Sequence, residues 1–273
     1  MAGPALRVLI IDDSAYNRKA LAEMLSSDPD IQVVGKAADG EEGLRLALQL
    51  QPDVITLDLE MPRMDGFTFL RILMTRRPTP VVVVSSYAQK ENVFKALELG
   101  ALDFVAKPEN QISAELLAIQ DEFLMKVRLV KQLSQRNLVM RDRQTGKFYL
   151  PGGQGPLIKR PRRLVAVAAS TGGPSAISEL FARLPGDLPV SIVIAQHMPD
   201  KFTRTFAERL SRRSAFRVVE AADGDTLEAG SAFIAPGRQC IEVRRTGEDF
   251  KISVVTPAPT DRYVPSADRL FAT

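Results

Sequence analysis

The sequence predicts an α/β protein made of two doubly wound parallel-sheet units, and three observations predict it. Short apolar runs rich in β-branched residues alternate with helix-period stretches, as strands and crossover helices do in parallel sheets. The chain, at 273 residues, exceeds a typical single domain. A break, Pro151-Gly-Gly-Gln-Gly-Pro156 followed by the basic run Lys159-Arg-Pro-Arg-Arg163, separates two such alternating regions.

In the first region strands are expected at Leu6–Ile11, Ile31–Val34, Val54–Leu57, Pro80–Val84 and Asp103–Ala106. Helices are expected at Ala15–Ser26, Glu41–Gln49, Gly66–Thr75 and Lys90–Leu99. From Ile112 to Arg143 apolar residues keep a roughly helical spacing, so a helix leads into the break. In the second region the apolar runs Leu164–Ala169 and Val190–Ala195 flank the helix-like stretch Ser175–Leu184, the pattern of two parallel strands joined by a crossover helix. The expected division is 1–125 for the first unit, 126–163 for a helical and then flexible basic linker, and 164–273 for the second.

Composition narrows the function classes. Hydrophobic residues make up 45% and charged residues 25%, and mean hydropathy is −0.04, values of a globular chain rather than a disordered or membrane one. No apolar run reaches membrane-spanning length and no secretory leader pattern begins the chain, so a cytoplasmic location without membrane insertion is expected. Cys240 is the single cysteine; it cannot form an internal disulfide and reads as a small buried hydrophobe. Residues 1–110 carry 12 basic and 16 acidic side chains, whereas Lys126–Arg163 carries 11 basic residues against one acid. That segment reads as a solvated helix and linker, because its charges are spread out and few aromatics interleave them. No helix-turn-helix pattern follows it, so no nucleic-acid partner is expected.

Two clusters carry chemistry. Asp12 and Asp13 follow the first strand, Asp58 the third, Ser85 the fourth and Lys107 the fifth, which brings five reactive side chains to one sheet edge. Crowded carboxylates repel one another, and Mg²⁺, a hard cation suited to oxygen ligands, relieves that repulsion. Asp58 is then the expected nucleophile toward a phosphoryl group, with Lys107 and Ser85 on the phosphoryl oxygens. In the second unit His197, the only histidine, lies in Ile194-Ala-Gln-His-Met-Pro199. It stands 27 residues after Ser170 of Ala168-Ala-Ser-Thr-Gly-Gly-Pro174. Both emerge at strand C-termini, and a serine beside an imidazole is the minimal pair for acyl transfer. Backbone N–H groups of Thr171, Gly172 and Gly173 would line the site as oxyanion donors, an arrangement worth roughly 3 to 4 kcal/mol per donor. Neither a P-loop, a dinucleotide fingerprint nor a Gly-x-Ser-x-Gly elbow fits this text.

At these residues the first unit resembles the response-regulator receiver domain, through Asp12-Asp13, Asp58-Leu-Glu-Met-Pro-Arg-Met-Asp-Gly66, Ser85-Ser86 and Lys107-Pro108. The resemblance implies a flavodoxin-like fold and phosphorylation of Asp58 by a partner histidine kinase. It also implies Mg²⁺ held by Asp13, Asp58, the main-chain carbonyl of Glu60, and Asp12 directly or through water. It places the aromatic switch on Phe104, where a tyrosine hydroxyl is not available.

The second unit resembles the catalytic domain of chemotaxis protein-glutamate methylesterases. The matching text is Ala169-Ser170-Thr-Gly-Gly173, Gln196-His197-Met-Pro199, Phe202-Thr-Arg-Thr-Phe-Ala-Glu-Arg-Leu210, Ala222-Asp-Gly224 and Ile234-Ala-Pro-Gly237. This implies cofactor-independent hydrolysis of glutamyl methyl esters on chemoreceptors with release of methanol, and deamidation of receptor glutamines. Ser170 would be the nucleophile and His197 the general base, and the receiver would cover the Ser170 edge until Asp58 is phosphorylated. Family domains continue with a Gly-Met-Gly-x-Asp-Gly segment that supplies a third triad residue. That segment does not occur in this sequence, so the C-terminal part of the domain is expected to be missing. Asp223, Asp225, Asp261 and Asp268 are available carboxylates, and none matches the family's acid. A second class stays open, a non-catalytic phosphoacceptor or binding module.

Overall fold

The computed structural model describes residues 4–86, 90–107, 119–134 and 160–273. The chain divides into two compact units, Met1–Asp142 and Arg143–Thr273. Among the described residues no helix is long and apolar enough to cross a membrane.

In the first unit β1 (Leu6–Ile11), β2 (Ile31–Ala37), β3 (Val54–Leu57), β4 (Val81–Ser86) and β5 (Asp103–Lys107) form one sheet. Every pairing is parallel, in the order β2-β1-β3-β4-β5. Between them run α1 (Ala15–Ser26), α2 (Gly40–Leu50), α3 (Gly66–Arg76) and α4 (Lys90–Glu98), with α5 (Gln120–Ser134) after β5. This is the flavodoxin-like order, whose direction reverses between β1 and β3 and opens a crevice at their C-terminal ends. Successive strand residues point to opposite faces. Val8, Ile10, Val54, Val82, Val84 and Val105 therefore share one core with Leu21 and Leu25 of α1 and with Phe123, Val127 and Val130 of α5. On the other face Ile11 lies so close to α2 that a Cβ at Gly43 would stand 2.6 Å from its Cδ1. Three helices begin with side-chain caps: Ser14 accepts from the Asn17 N–H, Asp39 from the N–H groups of Glu41 and Glu42, and Asp65 from that of Thr68.

Two expectations are corrected here. Ser85 and Lys107 do not follow their strands but belong to them, near the ends of β4 and β5. The region after residue 125 does not begin as a solvated linker, because α5 runs through it and delivers Val127 and Val130 to the core. Lys126 is buried with it, its ammonium paired to Glu122 at 2.8 Å and Asp103 at 3.3 Å. The rest of the expected helix around Ile112 and beyond Ser134, and the Pro/Gly break, lie outside the described residues.

In the second unit β6 (Arg163–Ala169), β7 (Val190–Gln196), β8 (Arg217–Glu220) and β9 (Ser231–Ile234) form a parallel sheet in the order β6-β7-β9-β8. The connecting helices are α6 (Gly173–Arg183) and α7 (Asp200–Arg213). A hairpin follows, β10 (Cys240–Thr246) with β11 (Asp249–Val255), turning through Gly247 at φ 64°, a conformation that favours glycine. The short helix α8 (Ala267–Phe271) ends the chain. Val193, Ala195, Phe233 and Ala235 of the sheet layer pack with Ile241 and Ile252 of the hairpin and Leu270 of α8. A strand hairpin therefore covers a face of this sheet, an element that alternation of strands and helices did not predict. Cys240 is fully buried, as expected, and burial lifts its thiol above the ordinary range.

Candidate active site and phosphoacceptor

At the crevice of the first unit, Asp12 follows β1 and Asp58 follows β3, and both carboxylates are buried. The Lys107 ammonium reaches across from β5 and lies 2.7 Å from Asp12 Oδ2 and 2.7 Å from Asp58 Oδ2. Asp12 Oδ1 accepts from the Ser14 N–H at 2.9 Å, and Asp58 Oδ1 accepts from the Leu59 N–H at 2.7 Å. Carboxylate oxygens of Asp12, Asp13 and Asp58 lie within 4.8 Å of one another, with Asp13 exposed. The strand-end pattern thus brings together the three acids and the lysine.

Burial is the largest influence on Asp58 and lifts its carboxyl above the ordinary range. Lys107 pulls the other way and Asp12 adds to the lift. Burial opposes the charge on Lys107, but Asp58 and Asp12 outweigh it and hold the ammonium above its usual value. Three acids against one ammonium, all offering oxygen, form a donor set that fits a hard divalent cation.

The other receiver positions fall around this cluster. Ser85 is buried in β4, opposite Ala106 of β5. Glu60 lies exposed two residues past Asp58. Gly66 is required where it stands, since a Cβ there would come within 2.5 Å of the Asp58 carbonyl oxygen. Phe104 is buried, edge-on to Phe94 with centroids 6.4 Å apart. The Lys126 ammonium donates to the Phe104 carbonyl at 2.5 Å and lies 5.1 Å from its ring centroid. Asp103 and Glu122 outweigh the effect of burial on Lys126 and keep its pKa high. The basic-segment reading missed this lysine. The signal available was Glu122 four residues before it, with Asp103 beside Phe104.

In the second unit β6 pairs with β7 so that Ala169 faces Gln196, which sets the next residues, Ser170 and His197, side by side. The His197 N–H donates to the Ala169 carbonyl at 3.0 Å. Ser170 Oγ is 3.1 Å from His197 Nδ1, and His197 Nε2 is 3.0 Å from the Pro265 carbonyl oxygen. The Tyr263 ring lies beside the imidazole, centroids 5.3 Å apart. After Ser170 the chain turns through Gly172 at φ 76° and enters α6 with Pro174 in its first turn.

One expected oxyanion donor is corrected. The Gly173 N–H already donates to the Ser170 carbonyl at 2.8 Å, because the turn closes on itself, which leaves Thr171 and Gly172 as the candidate amides. Gln196, absent from the predicted site, braces this turn. Its amide donates to the Ser170 carbonyl at 3.1 Å and to the His197 carbonyl at 2.8 Å. A Cβ at Gly173 would stand 2.0 Å from Gln196 Oε1 and 2.8 Å from Ala169 Cβ, so a larger residue there would have to displace the Gln196 amide that braces the turn. Among the spare acids, Asp223 and Asp225 accept from the N–H groups of Val254 and Ala222. Asp261 accepts from the Ala258 N–H and from Arg269.

An acid–lysine crevice on a flavodoxin-like sheet and a serine–histidine pair on a second sheet define a receiver-bearing hydrolase. Residues 8–140 match the response regulator receiver domain family, and residues 165–273 match the CheB methylesterase family. Protein-glutamate methylesterase/protein-glutamine glutaminase 3 of Geobacter sulfurreducens is 47% identical over 284 residues, covering 97% of this chain and 76% of its own length. Protein-glutamate methylesterase/protein-glutamine glutaminase 6 of Anaeromyxobacter dehalogenans is 50% identical, covering 97% of this chain and 74% of its own length. The response regulator domain of Thermotoga maritima CheB is a solved structure 40% identical to this chain. It matches with a TM-score of 0.45, over 47% of this chain and 98% of its own. The chain belongs to the protein-glutamate methylesterase/protein-glutamine glutaminase family and carries its receiver domain. It spans about three quarters of the length of these two relatives.

Proposed function

We propose that this chain removes methyl groups from chemoreceptor glutamates by acyl transfer through Ser170 and His197, under control of phosphorylation at Asp58. The single observation that carries the reading is the 3.1 Å contact between Ser170 Oγ and His197 Nδ1. His197 takes the hydroxyl proton as Ser170 Oγ attacks the γ-carbonyl, then returns it to the departing methanol. Water, activated by the same imidazole, hydrolyses the acyl-serine to the free glutamate. Amides at Thr171 and Gly172 face the developing oxyanion, and the reaction calls on no cofactor. Deamidation of receptor glutamine follows the same steps with ammonia leaving.

In the receiver, an Asp58 carboxylate oxygen accepts the phosphoryl group from a histidine kinase or small phosphodonor, while Lys107 and Ser85 contact the phosphoryl oxygens. Receivers as a class use Mg²⁺; bound by Asp12, Asp13, Asp58 and the Glu60 carbonyl, it would supply charge neutralisation at the transferring group.

The test is methanol release from methylated receptor membranes by the 273-residue chain, with Mg²⁺ and acetyl phosphate. The parent should release methanol faster with phosphodonor, Ser170→Ala should release none, and Asp58→Asn should ignore the phosphodonor. No release from the parent despite labelling of Asp58 would reject the esterase reading and select the phosphoacceptor or binding module.

A further inference from the structure

We propose that Asn17 and Arg18, consecutive residues near the start of α1, are positioning residues for the receiver's divalent cation: Asn17 turns the Asp12 carboxylate and Arg18 aims Asp13. The inference deepens the reading of Asp12, Asp13 and Asp58 as ligands of a hard cation, and rests on it.

Asn17 acts on a side chain. A carboxylate offers about four lone-pair sites, shared between its oxygens. The Asn17 amide donates to Asp12 Oδ1 at 3.3 Å, and the Ser14 N–H donates to the same oxygen at 2.9 Å, so Oδ1 is filled. Oδ2 accepts from Lys107 at 2.7 Å and keeps a lone pair among the described residues. Rotation of this buried carboxylate would break all of these bonds together. Oδ2 is therefore the oxygen that Asp12 turns toward a cation or its water.

Arg18 acts on the main chain. β1 ends at Ile11, so the Asp12 carbonyl lies past the strand ladder. Asp12 is buried, and a buried carbonyl requires a donor. Arg18 Nη1 supplies it at 2.6 Å. The peptide that joins Asp12 to Asp13 is planar, so holding its oxygen also fixes the direction in which Asp13 leaves. Asp13 is the exposed member of the acid cluster, where packing does little to aim a side chain and the peptide plane does more.

For Arg18, charge and geometry act with opposite signs. Loss of a guanidinium removes repulsion toward a cation and would tighten its binding, whereas loss of the carbonyl clamp loosens it. Repulsion reached by water is screened, while partners behind metal ligands are worth about 10–100-fold in affinity. Geometry wins.

The experiment uses Mn²⁺, which shares the oxygen ligands of Mg²⁺, with free Mn²⁺ read by EPR in the presence of the metal-free 273-residue chain. Asn17→Leu and Arg18→Met are compared with the parent, with Asp13→Asn, and with Arg18→Met combined with Asp13→Asn. Leu and Met are at least as good helix formers as the residues they replace, so neither weakens α1. Each α1 variant should bind Mn²⁺ on the order of 10-fold more weakly, with amide protection of the first unit unchanged. Arg18→Met should add little to Asp13→Asn, because it acts through Asp13. Parent-like or tighter binding by either α1 variant would overturn the proposal. So would full additivity of Arg18→Met with Asp13→Asn, or a loss of protection across the first unit that matches the loss of affinity. A parent that binds Mn²⁺ while the variants match it leaves the cation reading standing; a parent that binds none overturns that reading and this inference together.

Discussion

The two units place chemistry at the same architectural spot, the C-terminal edge of a parallel sheet, yet they do so by opposite means. In the receiver the groups are charged and buried, with Asp12 and Asp58 both ion-paired to Lys107. In the second unit Ser170 and His197 are partly exposed and bonded to each other, and their setting is made of backbone: Ala169 O, Pro265 O and the turn braced by Gln196. The strands differ in the same sense. The receiver's β3 is buried at every residue, while β6, which ends just before Ser170, lies at the edge of its sheet among the described residues, with Val165 40% exposed. A site made of buried charges depends on their balance. A site made of a hydrogen-bonded serine–histidine pair depends on backbone geometry.

The sharpest break of that comparison is kinetic. His197→Gln leaves the sheet edge in place but removes the imidazole that lies 3.1 Å from Ser170 Oγ, so on the proposed mechanism serine-dependent methanol release should fall on the order of 10⁴-fold or more. Labelling of Asp58 by acetyl phosphate, a property of the other unit, should be unchanged. Retained release would remove His197 from the mechanism.

Next comes a core cavity. Ile10 on β1 is fully buried between α1 and α5, so Ile10→Ala should cost the first unit about 2–5 kcal/mol. Amide hydrogen exchange of each unit separately is the appropriate readout, because two units need not unfold together. A loss below 1 kcal/mol would mean that this sheet face is not close-packed.

How much of this was legible in the sequence follows the same division. The receiver edge could be read almost completely, because its acids and lysine sit at the ends of apolar runs and chemistry of like charges announces itself by residue type. Lys126 escaped, since burial of a lysine depends on Asp103 and Glu122 meeting it in three dimensions. In the second unit Ser170 and His197 were legible for the same strand-end reason. The contacts of Gln196 and Pro265 were not: one is made by an amide that looks like an ordinary strand residue, the other by a main-chain carbonyl, which every residue possesses. The hairpin of β10 and β11 was missed because attention to parallel alternation left no place for it.

Charge balance in the receiver gives a pH test. Burial raises the folded-state pKa of Asp58 above that of the unfolded chain, so the native state binds this proton more tightly. Its contribution is therefore unfavourable above the folded pKa and is relieved as pH falls through it toward the unfolded value. Asp65 behaves oppositely. The Thr68 N–H is the largest influence on it and lowers its pKa, so its contribution is present above the unfolded pKa and lost as pH falls through the folded one. Metal-free Asp58→Asn, which keeps the Asp12 partner of Lys107, should thus stabilise the first unit at neutral pH by about 1 kcal/mol and flatten its response to mild acid. A variant less stable than the parent at neutral pH would show that the Lys107 pair outweighs the cost of burying the Asp58 charge.

The smallest expected effect lies on the strand that leads into Ser170. Val165 on β6 has much of its side chain in water, and a surface substitution of that kind changes stability by about 0.5 kcal/mol or less. Val165→Ala should therefore leave both the second unit's hydrogen exchange and the Ser170–His197 pair nearly untouched, although it stands only five positions before the serine. Position along the chain is not what supports the site; the β6–β7 register at Ala169 and Gln196 is. A loss approaching that of Ile10→Ala would mean that β6 is covered by partner structure in solution, and the contrast between a buried receiver sheet and an exposed strand beside Ser170 would then fail.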